Sequence, residues 1–300
     1  MATMLSLIQQ ATGQMGLAVP TYIASSTAAD QIQQLALLNA VGSELARERD
    51  WQAMNKAYLI TVLVSTITGD TTLGSANITN ASSIAGLDAT YQVTGTGIPQ
   101  ASYITATPIG TTIILNQVAT STATGTTFTC TKVKYAMPSD YDRIINDTQW
   151  DKSKHWRMLG PETAQQWEWL ISGYISTGPR VRFRIFGSYF TIWPPLGTST
   201  VLGFEYVSNA WASSSTGTGQ TALTADADTC IFPDVLMVLG LKLKYFEAKG
   251  FDTVALMRDY TKQLDIAKAN DSGAMTLSMA PRVSDILISW QNIPDSGYGT

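Results

Sequence analysis

Charge is what this chain has least of. Asp, Glu, Lys and Arg make up 14% of its 300 residues, and the net charge is −4. Ordinary globular chains hold about a quarter charged residues. A protein that grips nucleic acid needs a basic face to displace counterions, and the overall balance argues against one. There is a single histidine and only two cysteines, Cys130 and Cys230. Their spacing fits neither a metal site nor a disulfide framework, so two buried free thiols are expected. No stretch approaches ~18 consecutive apolar residues, so no membrane span is expected. The first residues carry no basic segment followed by an apolar run, so no secretory leader is expected.

The candidates for chemistry are correspondingly thin. His155 sits in DKSKHWRM between Lys154 and Trp156, far from any nucleophile elbow, and reads as a surface or stacking histidine. Gly95-Thr96-Gly97 and Gly217-Thr218-Gly219 lack the following Gly-Lys-Ser/Thr of a phosphate loop and read as turns. Asp226, Asp228 and Asp234 could ligate a cation through oxygen, but the loop-plus-Glu pattern is missing. Asp234 is better used at the start of a helix, where negative charge is favoured. No catalytic residue, cofactor or metal is expected.

The shortage of charge is local. Residues 65–131 contain no Lys, Arg or Glu, and Asp only at Asp70 and Asp88. Thr, Ser, Ala and Gly fill the stretch. Ile, Val, Tyr and Phe recur at period two between turn clusters, which favours a small β-sandwich over disorder. Charge and Trp return on both sides. The segment therefore reads as a domain inserted into a loop of a host domain. The expected map is a host core over 1–64 and 132–270, the inserted domain over 65–131, and an extended C-terminal arm over 271–300.

The host domain is organised around residues 27–54. Ile32, Leu35, Leu38, Val41 and Leu45 recur at helical spacing and predict one long amphipathic helix. Asp30 or Thr27 can cap it, and Glu44 and Glu48 can pair locally with Arg47 and Arg49. Trp51 closes the helix and needs a packing partner outside it. A first short helix over 4–14, stopped by Gly16, is placed against the long one. Residues 58–66 predict a strand, Gly160-Pro161-Glu162 a helix opening, and 180–195 a hairpin turning at Gly187-Ser188. Residues 201–212 predict a third strand beside that hairpin. Pro233-Asp234 opens an apolar helix to Lys249, capped by Gly250, and another runs from Asp252-Thr253 to about Lys268. The fold class is α+β: a helical bundle packed with a small antiparallel sheet, plus the inserted all-β domain and the arm.

Arg180, Arg182 and Arg184 share one face of the hairpin, but an alternating charged face is usually the solvated side of a sheet. No aromatic platform is interleaved with them. Eight tryptophans exceed what one modest core needs and point to interfaces.

Six stretches carry a resemblance when taken in order: LLNAVGSELARERDWQ (37–52), KYAMPSDYDRIINDTQWD (134–151), LGPETAQQWEWL (159–170), the hairpin ending in IWPP (180–195), FEYVSNAW (204–211) and LGLKLKYFEAKGFD (239–252). Together they resemble the head-to-tail adaptor proteins of short-tailed bacteriophages. TYQVTGTGIPQASYITA (90–106) and ATGTTFT (123–129) resemble an Ig-like β-domain found inserted in phage structural proteins. The resemblance implies a virion protein without enzymatic activity. It implies a ring of copies, usually twelve, beneath the portal protein, extending the DNA channel and attaching tail proteins of the nozzle, hub or fibre kind. DNA would pass through without specific binding. The C-terminal tail would dock on the portal through Ile286, Ile288 and Trp290. A different class of function, a surface module binding glycan or receptor through residues 65–131 with Tyr91 and Tyr103 as stacking platforms, is the alternative.

Overall fold

A computed structural model describes residues 1–172, 178 and 180–272. They form a mixed α+β structure with helices α1 (Met4–Met15), α2 (Ala29–Glu48), α3 (Ala164–Ile171), α4 (Asp234–Lys249) and α5 (Val254–Ser272). The chain falls into two compact units. Of the described residues, one holds Met1–Lys56, Ser139–Ile144 and 206–272; the other holds Ala57–Pro138 and Ile145–Glu205.

In the first unit α4 is the central helix. Leu236, Met237, Val238, Gly240, Leu241, Leu243 and Tyr245 are all buried, so apolar groups face several directions. Such a helix needs partners around it. It has them: α1, α2 and α5 each pack on α4. The expected contact of α1 with α2 is present, and both helices also share α4 as a larger partner. Gly240 allows the close approach, since a Cβ there would lie 2.6 Å from Val41 of α2. The Thr3 side chain caps α1, and Gly16 closes it in the left-handed region at φ 71°.

The buried side of α2 comprises Gln34, Leu38, Val41, Gly42 and Leu45, while Ile32 is 53% exposed. The helix is therefore rotated slightly from its apolar stripe, because Gly42 turns inward to receive the ring of Trp211. Neither Asp30 nor Thr27 caps it. Its N-cap is Ala28, without a side-chain cap bond, and Asp30 instead pairs with Lys249 at 3.2 Å. Glu44 pairs with Lys244 and Glu48 with Lys268, so distant lysines take the acids assigned locally to Arg47 and Arg49. Trp51 is buried. Its indole donates to the Leu45 carbonyl, and its ring meets Phe232 edge-on. A three-stranded sheet of Gly219–Gln220, Ala212–Ser213 and Thr229–Cys230 completes this unit, with Tyr141–Ile144 paired to residues 206–208.

In the second unit, six strands lie side by side in the order Ser102–Tyr103, Tyr91–Gly95, Ala123–Lys132, Val64–Thr71, Asn77–Thr79, Ile113–Ile114. The first and last of these also meet. Ile104 bridges Leu115, Thr105 N donates to Ile114 O at 2.9 Å, and Asn116 N donates to Tyr103 O at 3.0 Å. The sheet thus closes into a small barrel around Ile67, Ile78, Val93, Ile113, Phe128 and Cys130. Two stacked sheets were expected here. The period-two pattern fits either arrangement, and the hydrogen bonds at the seam favour closure. Chain entry and exit adjoin, with Val64 paired to Thr131 and Lys132 N donating to Leu63 O.

The rest of this unit is the hairpin Arg182–Phe186 and Tyr189–Trp193, with Lys134–Ala136 as its third strand. The third strand expected over 201–212 is shorter, Val201–Ser208, and lies in another sheet between Asn55–Thr61 and Trp150–Asp151. Phe190 joins the two by stacking on Phe183 at 5.0 Å and on Phe204 at 4.9 Å. A capping box of Thr163 and Gln166 starts α3, later than Pro161 alone suggested. Trp167 and Leu170 of α3 pack with Trp193 and with Ala101 of the barrel.

Candidate functional site

The three candidate carboxylates each have a structural use. Asp226 accepts from the amides of Ile23 (3.0 Å) and Ala24 (2.9 Å). Asp228 accepts from those of Thr224 (2.7 Å) and Ala225 (2.8 Å), and Asp234 from Ala2 (3.0 Å). These carboxylates fasten the N-terminal segment and a loop; they do not converge on a cation. Among the described residues no cluster of three or more His, Cys, Asp or Glu could hold a metal. His155 is exposed, at the tip of the turn between Trp150–Asp151 and Trp156–Arg157. Burial pushes the Cys130 thiol up to about 12 and the Cys230 thiol up to about 11, so neither forms a nucleophilic thiolate.

The arginine row is partly taken up. Arg182 pairs with Glu162 at 2.7 Å, and Arg184 lies over the Phe186 ring at 5.2 Å. Tyr91 belongs to the barrel core, and Tyr103 is covered by Lys134, 5.1 Å from its ring. Neither is an open platform for a sugar. Trp51, Trp167, Trp193 and Trp211 are buried, and Trp169 is exposed. Four of the eight tryptophans are therefore core residues. Ile286, Ile288 and Trp290 lie outside the described residues, as does most of the arm.

Two features that the pattern of residue types did not announce are better candidates. The first is a junction around Asp140. Its carboxylate accepts from Lys56 Nζ (2.6 Å), Ser208 Oγ (2.7 Å) and Tyr206 Oη (2.9 Å), and its carbonyl accepts from Asn209 N. Burial by itself would raise this carboxyl. The bonds from Lys56, Ser208 and Tyr206 outweigh that and hold it at about 2. Two clefts flank the junction. One, of about 460 Å³, is lined by Arg47, Met54, Arg143 and Trp211 among others; the second, of about 380 Å³, includes Asp140, Gly219 and Gln220. Arg143 is held by Asp50 and Asp142. The only sequence signal was PSDYDR within the stretch 134–151.

The second feature is the outer side of α5. Val254 is 76% exposed, Met257 51% and Ile266 43%. With Arg258, Thr261 and Lys262 they border one shallow depression along the helix. Its other side, with Ala267 buried, packs on α4. These apolar groups, set among polar ones along one exposed helix, make α5 a candidate contact surface.

A family model described as SU10 adaptor protein matches residues 113–283, more than half of the chain. The chain belongs to the SU10 adaptor protein family. A search of curated proteins returns no match. The adaptor is accordingly a structural, non-enzymatic component of bacteriophage virions, placed at the head–tail junction among portal and tail proteins. The match begins inside the barrel, at residue 113, and takes in α3, α4 and α5.

Proposed function

We propose that this adaptor forms a closed ring of like copies, twelve in number, beneath the portal of a short-tailed phage. The ring extends the DNA channel and attaches the tail. The observation that supports it most is the apolar outer face of α5. A heterologous contact, in which one face meets a different face of the next copy, closes into a ring when the rotation allows. Val254, Met257 and Ile266 offer such a contact apolar groups, and Arg258 and Lys262 stand between them as charged ones. The low charge and net −4 suit a channel wall past which DNA slides without sticking.

In this reading the arm over 271–300 docks on the portal through Ile286, Ile288 and Trp290. Residues 65–131 serve as an inserted domain, Ig-like in role, directed outward or toward a tail component. Electron microscopy of the purified protein mixed with its portal tests the proposal. A ring stacked under the portal is expected, and Met257→Glu should leave the fold intact but abolish the ring. Protein that stays monomeric beside its portal overturns the reading.

A further inference from the structure

The two clefts of the first unit meet at Asn209 and Thr221, which line both. Along the second cleft runs the strand Gly219–Gln220. It stands at the end of its three-stranded sheet and is paired on one side only. Ladder parity shows which of its peptide groups are unused. Ser214 N donates to Thr218 O at 2.8 Å, and the register pairs Ser213 with Gly219 and Ala212 with Gln220. Hydrogen-bonded pairs alternate in an antiparallel ladder, so the amide and carbonyl of Gly219 turn away from the sheet. Such an edge can take one more strand. The first cleft adds an exposed guanidinium, Arg47, with no hydrogen-bond or ion-pair partner among the described residues.

The chain beyond Ser272 supplies an occupant that fits. Near the end of α5, Asp271 accepts from the Gln52 amide at 3.1 Å. Gln52 is two positions from Met54, which lines the first cleft. Residues 273–300 therefore start beside the groove. Within them DILISW (285–290) sets a carboxylate at the head of a β-forming run. The stretch from Ser272 to Asp285 can span roughly 40 Å when extended, and tethering raises the local concentration of the run to the millimolar range.

We infer that, before assembly, residues 285–290 lie in this groove as an added strand on Gly219–Gln220, with the Asp285 carboxylate on Arg47. The inference rests on the portal-docking role proposed for the arm and adds its regulation. The anchors Ile286, Ile288 and Trp290 are kept by their own chain until the portal draws them off.

Fluorescence anisotropy of a labelled peptide of residues 273–300 tests this on the full chain and on a chain truncated after Ser272. The truncated chain should bind the peptide saturably. The full chain should bind it about tenfold more weakly, because its own arm competes. Arg47→Glu in the truncated chain should weaken binding by about tenfold without changing its melting curve, since Arg47 supports no other side chain. No binding to the truncated chain, equal binding to both chains, or indifference to Arg47→Glu each overturns the inference. Portal binding by the full chain is measured separately. An arm that joins the portal but never the groove refutes this inference and leaves the portal role standing. A truncated chain that binds peptide yet still joins the portal does the reverse.

Discussion

Gly42→Ala offers the sharpest test of how the first unit is packed. Gly42 lies well inside α2, where alanine ordinarily gains about 1 kcal/mol over glycine from helix propensity. Here a Cβ would fall 2.2, 2.3 and 2.5 Å from three carbons of the Trp211 ring. The ring cannot simply retreat. It is 2% exposed and stacks on Phe232 at 6.2 Å, and Phe232 is itself held edge-on by Trp51 at 5.4 Å. Overpacking a closed core costs typically 1–3 kcal/mol. With the ring held on both sides, the cost falls toward the upper end of that range, and after the propensity gain a net loss of about 1–2 kcal/mol is expected. Urea unfolding followed by tryptophan fluorescence and by circular dichroism measures it. Trp211→Leu alone should also destabilise, by emptying the space the ring fills. In the double variant the new methyl group enters that space, so the two losses should fall short of additivity by at least about 1 kcal/mol. A Gly42→Ala chain as stable as the parent, or strictly additive losses, would refute the packing argument.

Four further outcomes are expected. Asp140 sits at about 2, below the ordinary 3.8, so its network stabilises the fold above pH ~4 and is lost as pH falls from about 4 to about 2. The full shift corresponds to ~2.4 kcal/mol, reduced by solvent screening of the partly exposed Lys56 to about 1–2 kcal/mol. Asp140→Asn should lose that amount at pH 7 and flatten the acid limb of a stability–pH curve. Cys130 and Cys230 should resist iodoacetamide at pH 8 in the folded protein and react at once in urea, as read by mass spectrometry. Thr163→Ala removes the capping box of α3 and should cost ~1 kcal/mol, measured by chemical denaturation. Replacing residues 65–131 by a short Gly-containing turn should preserve the helical circular dichroism signal of α1, α2, α4 and α5; loss of that signal would place the boundaries of the inserted domain elsewhere.

Local grammar was well written in the sequence, and partner choice was not. Asp234–Lys249 with its Gly250 cap, and the hairpin turning at Gly187-Ser188, follow from chain-local rules that need no knowledge of neighbours. The third strand of that hairpin was misassigned because alternation states which face is buried but not which strand lies alongside. Ile32 looked like core because helical spacing fixes a stripe only to within one residue, whereas the inward turn of Gly42 depends on Trp211, far along the chain. The same limit hid the candidate surfaces. Asp140, Lys56, Tyr206 and Ser208 come from three separate stretches, so no motif could announce their junction. Asp226, Asp228 and Asp234 lacked a ligand pattern in the sequence, but spacing could not show that backbone amides already occupy them.

In the proposed ring, neighbouring lobes stand shoulder to shoulder through the lifetime of the particle. A sheet left open would show each neighbour a row of unspent amides and carbonyls, an invitation to irreversible strand exchange. The seam from Ile104 to Leu115 uses those groups within the copy that owns them. Adjacent lobes can then meet only through side chains, which slide, part and re-engage as the junction flexes.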